Sequence, residues 1–273
     1  MNKEELIANG ICRIAAVVIA LTLLNACASV APPQSAWQSG QKQMQAGQWT
    51  EARRSFEREL EEHPDNQKAR YNLALLLTRS GHIDDAASLY RDNLKIGWHF
   101  PSAINLAQIL QTSGNTDEAI TLLQKAGEKS AHEATPWYLL AEIADAQSKH
   151  DLAGQYFQKA IMADPENAYA HLRYATFQSQ QKLDDSGLGE GKKALSLMPD
   201  CAVCWRQYGD ILQTSGENEP ARSAYQHSLA IQPSWQTRQR LIDLLRSDGH
   251  TVQADRMQEA LNSWRSHHPD ITE

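Results

Sequence analysis

Cys201 and Cys204 stand with two residues between them in the run Asp200, Cys201, Ala202, Val203, Cys204, Trp205, at the start of a predicted helix. A helix N-terminus lowers a thiol's pKa and favours the thiolate, so such a pair can cycle between dithiol and disulfide. No strand pattern precedes it and no βαβ unit surrounds it, and Cys204 falls at a small, buried repeat position. The expected role is therefore a local structural disulfide that pins a helix start in an oxidising compartment. Zinc wants four ligands, and neither a second such pair nor a close histidine pair accompanies this one. The ten histidines are scattered, with His267 and His268 in a polar C-terminal stretch. Asp84–Asp85 and Asp184–Asp185 fall in inter-helix turns, where carboxylates favour the following helix's N-terminus. No nucleophile elbow, phosphate-binding glycine loop or metalloprotease helix motif is present. The expectation is a non-enzyme with no catalytic residues, cofactor, metal or small-molecule substrate.

The elements that hold these residues are written in a repeat. Against itself at a period of about 34 residues, the chain shows six copies. One small position reads Gly40, Ala74, Ala107, Ala141, Ala175 and Gly209, on a first helix where a larger side chain would push the next helix away. A second reads Ala52, Ala86, Ala119, Ala153, Gly187 and Ala221, on a second helix. One turn later a large apolar residue follows at Phe56, Tyr90, Leu123, Phe157 and Tyr225, and only the fifth copy departs, with Gly191. Gly47, Gly81, Gly114 and Gly216 fit the left-handed position that closes a first helix. Pro64, Pro165, Pro199 and Pro233 stand just beyond second helices. Three glycines, Gly187, Gly189 and Gly191, fall inside the fifth copy's second helix, so either that helix frays or close packing demands glycine.

This pattern resembles the tetratricopeptide repeat over roughly residues 33–265. The resemblance implies an all-α, right-handed superhelical solenoid of helix-turn-helix repeats. Six repeats are assigned to 33–234, a degenerate seventh copy serving as C-terminal cap to 235–265, and a polar tail to 266–273. The cap is polar outside because no neighbour covers it.

Ahead of the repeats, Ile11 to Leu24 is almost entirely apolar. A spanning helix needs ~20 apolar residues and a secretory signal roughly 7–15, which favours a signal peptide. Leu24, Asn25, Ala26 and Cys27 resemble the lipobox of bacterial lipoproteins, which implies a signal peptide over 1–26 and an acylated Cys27 opening a tether over 27–35. The alternative is an uncleaved apolar anchor or a buried helix in which Cys27 is incidental. Ala28 and Ser29, with no aspartate after the cysteine, resemble lipoproteins sent to the periplasmic face of the outer membrane in Gram-negative bacteria; the inner membrane is the other destination.

In the repeat family the first helices line a concave groove that takes a peptide or partner helix. By family position that groove would hold Tyr71, Leu75, Arg79, Ile104, Gln108, Tyr138, Glu142, Tyr169, Leu172, Arg206 and Asp210. Tyrosines offer wide apolar contact with one polar atom, and arginines reach carboxylates. With 26 basic and 33 acidic residues and a net charge of −7, nucleic acid is not an expected partner. The expected function is a lipid-anchored, protein-binding scaffold that assists assembly of a pilus or secretion complex. The alternatives are an adaptor presenting clients to an envelope enzyme and, from a different class, a thiol-redox protein.

Overall fold

The computed structural model describes residues 35–181 and 186–267; the apolar leader, Cys27, Asp184, Asp185 and His268 lie outside the described residues. Among the described residues fourteen helices follow one another as seven antiparallel pairs, and no strand occurs. The chain falls into two compact units, one ending at Ile96 and the other beginning at Gly97. The first unit holds α1 (Ala36–Gln45) with α2 (Trp49–Glu62), and α3 (Gln67–Arg79) with α4 (Ile83–Ile96). The second holds five pairs. These are α5 (Phe100–Thr112) with α6 (Thr116–Lys129), α7 (Thr135–Ala146) with α8 (His150–Ala163), and α9 (Ala168–Gln180) with α10 (Ser186–Leu197). They continue with α11 (Ala202–Thr214) and α12 (Asn218–Ile231), then α13 (Trp235–Ser247) and α14 (Thr251–His267). The last helix takes in His267, which the sequence pattern places in the tail.

The turn inside a pair is fixed by backbone chemistry. Gly47 has φ 71°, its N–H donates to Met44 O at 3.1 Å, and the Gln48 N–H donates to Gln43 O at 2.9 Å. These two bonds satisfy carbonyls that the end of α1 leaves free, and only a left-handed residue allows both. The same pair of bonds recurs at Gly81, Gly114, Gly216 and Gly249, all at positive φ. In the fourth pair Ser148 does this work at φ 60°, a conformation that costs a residue with a Cβ about 1–2 kcal/mol.

The start of a first helix is capped by a side chain in every pair but the fourth, where Ala134 precedes α7 and Pro136 stands in its first turn. Asn66 accepts from Ala69 N, Asn167 from Ala170 N and Ser234 from Thr237 N, each satisfying an orphan helical N–H. His99 caps α5 through Nδ1, which accepts from Ser102 N at 3.3 Å, and burial pushes its pKa below the ordinary value. Three second helices carry a polar residue at a small position, and each is tied to the start of its own first helix. Glu59 accepts from Trp37 N at 2.9 Å, Asn93 Nδ2 donates to Gln67 O at 2.9 Å, and Ser228 Oγ donates to Ala202 O at 2.8 Å. Buried polar groups survive because they are paired in this way.

Within pairs the large residue of the second helix lies on the small residue of the first. A Cβ added to Gly40 would sit 2.6 Å from the Phe56 ring, and one added to Gly209 would sit 2.6 Å from the Tyr225 ring. Phe157, 2% exposed, packs on Ala141, Ala144 and Ala153 and meets the rings of Tyr174 and Phe177 at 5.4 and 5.3 Å. Each such burial contributes about 1.5–3 kcal/mol. In the fifth pair α10 forms despite its glycines, and packing accounts for two of them. A Cβ on Gly191 would stand 2.5 Å from Tyr208 Cδ2 and one on Gly187 3.0 Å from Ala175 O, whereas one on Gly189 meets nothing within 4 Å.

Candidate functional site

Successive first helices of the second unit touch, α7 against α9 and α9 against α11, so their outward residues form one face. Tyr138 on α7 is half-buried; burial chiefly raises its pKa, and Thr135 hydrogen-bonds to it. Tyr169 at the start of α9 is 50% exposed and lies near enough to interact electrostatically with Tyr138. Each ring combines an apolar face with one hydroxyl. Gln108 on α5 is exposed.

The acids of this face are already neutralised from the next first helix. Glu142 pairs with Arg173 at 3.3 Å, and Asp210 pairs with Arg240 at 3.5 Å. Glu142, Thr176 and Asp210 share one register in consecutive copies, and Arg173, Gln207 and Arg240 share another, so the acid–arginine contact is built twice from equivalent positions. Burial raises the Glu142 carboxyl above its ordinary pKa, while Arg173 opposes that shift. Asp210 also accepts from the Tyr225 hydroxyl at 2.8 Å, which joins Gln213 Oε1 at 2.9 Å. Burial first, then this hydrogen bond, drives the Tyr225 phenol well above its usual pKa.

Arg206 differs. It has no ion-pair partner among the described residues, and it borders a polar pocket of about 380 Å³ shared with Thr176, Gln207 and Arg240. Ser179 lines the same pocket with an Oγ that is buried and lacks a hydrogen-bond partner. A guanidinium at the edge of a polar pocket is suited to the carbonyls and carboxylates of a bound polypeptide.

Two residues expected on this face belong to the core. Leu172 is 1% exposed and Ile104 8%, because a branched aliphatic side chain at that register drops between packed helices. Tyr138 and Arg206 share the register but are long enough to reach outward. In the first unit Tyr71 lies against Tyr90 with ring centres 6.0 Å apart, and Leu75 is half-buried. Arg79 there covers the Trp49 ring at 4.3 Å, so its charge is engaged by an aromatic face. Sequence reading missed Arg173 and Arg240; aligning the charges of successive first helices would have found them.

The Sγ atoms of Cys201 and Cys204 are joined, with Cα atoms 5.2 Å apart. Cys201 occupies the N-cap of α11 and its sulfur accepts from Cys204 N at 3.1 Å, the place that Asn or Ser holds in other pairs. Cys204 is 1% exposed. Asp84 and Asp85 lie in the first turn of α4, where they favour its N-terminal dipole. Among the described residues no group of three or more His, Cys, Asp or Glu could hold a metal, and no helix is long and apolar enough to cross a membrane.

Comparison with known proteins follows the same lines. A tetratricopeptide-repeat family model matches residues 38–98 and 104–168. The human protein O-mannosyl-transferase TMTC1 is 25% identical over 169 residues, which is 59% of this chain and 19% of that protein, so the chain spans about a fifth of that relative's length. A tetratricopeptide repeat protein from Parabacteroides merdae superposes with TM-score 0.63 at 15% identity, over 84% of this chain and 91% of that one. Pseudomonas aeruginosa pilF does so with TM-score 0.58 at 19% identity, over 75% and 93%. At these identities the structural likeness bears on the fold. Residues 38–98 and 104–168 carry tetratricopeptide repeats, and the described residues fold as an all-α repeat solenoid.

Proposed function

We propose that the protein is a non-catalytic scaffold, held at a bacterial membrane by acylated Cys27, that binds a protein segment on its first-helix face and assists assembly of a pilus or secretion complex. The observation that carries the binding reading is the composition of that face. Tyr138 and Tyr169 offer apolar contact, the acids are neutralised internally by Arg173 and Arg240, and Arg206 is left to meet a partner. A polypeptide docking there would cover the tyrosines and pair with the guanidinium.

The anchor reading rests on the apolar Ile11–Leu24 stretch and the lipobox-like approach to Cys27. Several acyl chains contribute ~0.8 kcal/mol per buried methylene, enough together to hold a protein at a bilayer without a spanning helix. The pilus assignment draws on the lipobox together with the fold shared with pilF.

The test is affinity capture of the lipidated protein from solubilised envelope, beside a Tyr138→Ala, Tyr169→Ala variant and a Cys27→Ala variant. Pilus or secretion components that disappear with the tyrosines, and a Cys27→Ala protein released from the membrane, are the expected results. Envelope enzymes in their place would make it an adaptor. A partner set indifferent to both tyrosines would remove the first-helix face from the account.

A further inference from the structure

The side of the second unit opposite that face carries a cleft of about 530 Å³ between α10 and α12, with α11 as its floor. Its origin lies in the glycines of α10. In every other copy through the sixth, the position of Gly191 holds a Phe, Tyr or Leu, and here the ring of Tyr208 from α11 takes the space instead. With Gly187, Gly189 and Gly191 adding no side chains, Leu188 and Lys192 form the α10 wall among the described residues. The floor is aromatic and apolar: Trp205, Tyr208 and Leu212. Trp205 is held in place, its Nε1 donating to Pro199 O at 2.7 Å and its ring lying 4.2 Å from that of His227.

The geometry points to a second interaction surface, distinct from the first-helix face, in which this cleft receives an amphipathic helix of a partner protein. The size falls within the ~300–1,000 Å³ of ligand-binding clefts and leaves room for large apolar side chains. Two helical walls over an apolar floor form the groove in which an amphipathic helix docks, with anchors spaced three or four residues apart.

Charge selects the flanks. Lys192 stands on one wall and Glu217 at the start of the other, both are exposed, and neither has an ion-pair partner among the described residues. The occupant is therefore a helix with leucine or aromatic anchors, an acid that faces Lys192 and a base that faces Glu217.

The test uses the full mature chain and two fluorescein-labelled helical peptides. Each carries leucines at i, i+3 and i+7 between one Glu and one Lys, and the second peptide exchanges those charges. Anisotropy titration is run on the unaltered chain and on Ser223→Trp, which fills the cleft from an exposed position. It is repeated on Lys192→Glu and on Tyr138→Ala, Tyr169→Ala, with circular dichroism melts confirming that each variant folds. Saturable binding of one peptide is expected, weakened about tenfold or more by Ser223→Trp and reversed in charge preference by Lys192→Glu. The tyrosine variant should bind like the unaltered chain. Binding by neither peptide, or binding indifferent to Ser223→Trp, overturns the proposal. So does loss in the tyrosine variant, which would move the helix to the first-helix face. Self-association of the chain that Ser223→Trp abolishes would give the cleft to a second copy, and likewise overturn it.

Discussion

The fourth and fifth helix pairs are neighbours built on one pattern, yet they solve the packing between them in opposite ways. In the fourth, Phe157 from the second helix reaches down onto Ala141 and Ala144, stacks with Tyr174 of α9 and meets the tilted ring of Phe177. In the fifth, Gly191 stands at the equivalent position, and the filling ring comes from the next first helix as Tyr208. The ring at the contact comes from the other side. A close-packed interior requires that the space be filled, but the backbone does not dictate which helix supplies the atoms. The reversal strips one wall of α10 and leaves the cleft beside α12.

Breaking the fourth pair should cost most. Phe157→Ala leaves a cavity among buried rings and is expected to destabilise the chain by about 3–5 kcal/mol in denaturant melts. A cost below about 1 kcal/mol would mean that Tyr174 and Phe177 collapse into the space. In the fifth pair the opposite change is harmful: Gly191→Ala drives a methyl into the Tyr208 ring and should cost about 1–3 kcal/mol. Combining it with Tyr208→Ala should give a total cost smaller than the sum of the two single costs, and strict additivity would deny the contact.

Gly189 sharpens the contrast, since nothing lies where its Cβ would be. Gly189→Ala should stabilise α10 by about 1 kcal/mol, read as a higher melting temperature. The fourth pair has its own relief available at Ser148, where Ser148→Gly should gain a few tenths to about 1 kcal/mol by removing left-handed strain.

The smallest effect is electrostatic. The fourth pair carries Glu142 where the fifth carries Thr176. Burial raises the Glu142 pKa in the folded chain above its ordinary 4.5. As pH rises from that value the unfolded chain loses this proton first, so the proton's contribution to stability is present below 4.5 and is lost as pH climbs through the raised value. The difference in stability between the unaltered chain and Glu142→Gln should shift in favour of the variant across that window. A difference that stays flat with pH would leave Arg173 fully offsetting the burial.

The fold was readable because its signals are local and repeated. A period of about 34, small residues in register and glycines at helix ends each report a backbone requirement, and the left-handed glycines show it most directly. The face was only half readable. Family register names which positions look outward, but side-chain length decides whether they arrive, so Tyr138 does while Leu172 sinks between helices. Pairings between helices, such as Glu142 with Arg173, depend on how adjacent repeats abut, which a one-repeat pattern does not encode. Gly191 was visible as a departure, but its filler Tyr208 sits in another repeat, and neither the exchange nor the cleft has a signature in one copy.

The most direct test of protein binding on the first-helix face is photo-cross-linking in intact envelopes. A reactive amino acid is placed at Tyr169, 50% exposed on α9, and separately at Met162, 80% exposed at the end of α8. Discrete cross-linked partners are expected from position 169, lost when Arg206 is changed to Glu, and few or none from position 162. Equal labelling from both positions, or none from 169 with partners from 162, would contradict binding on that face.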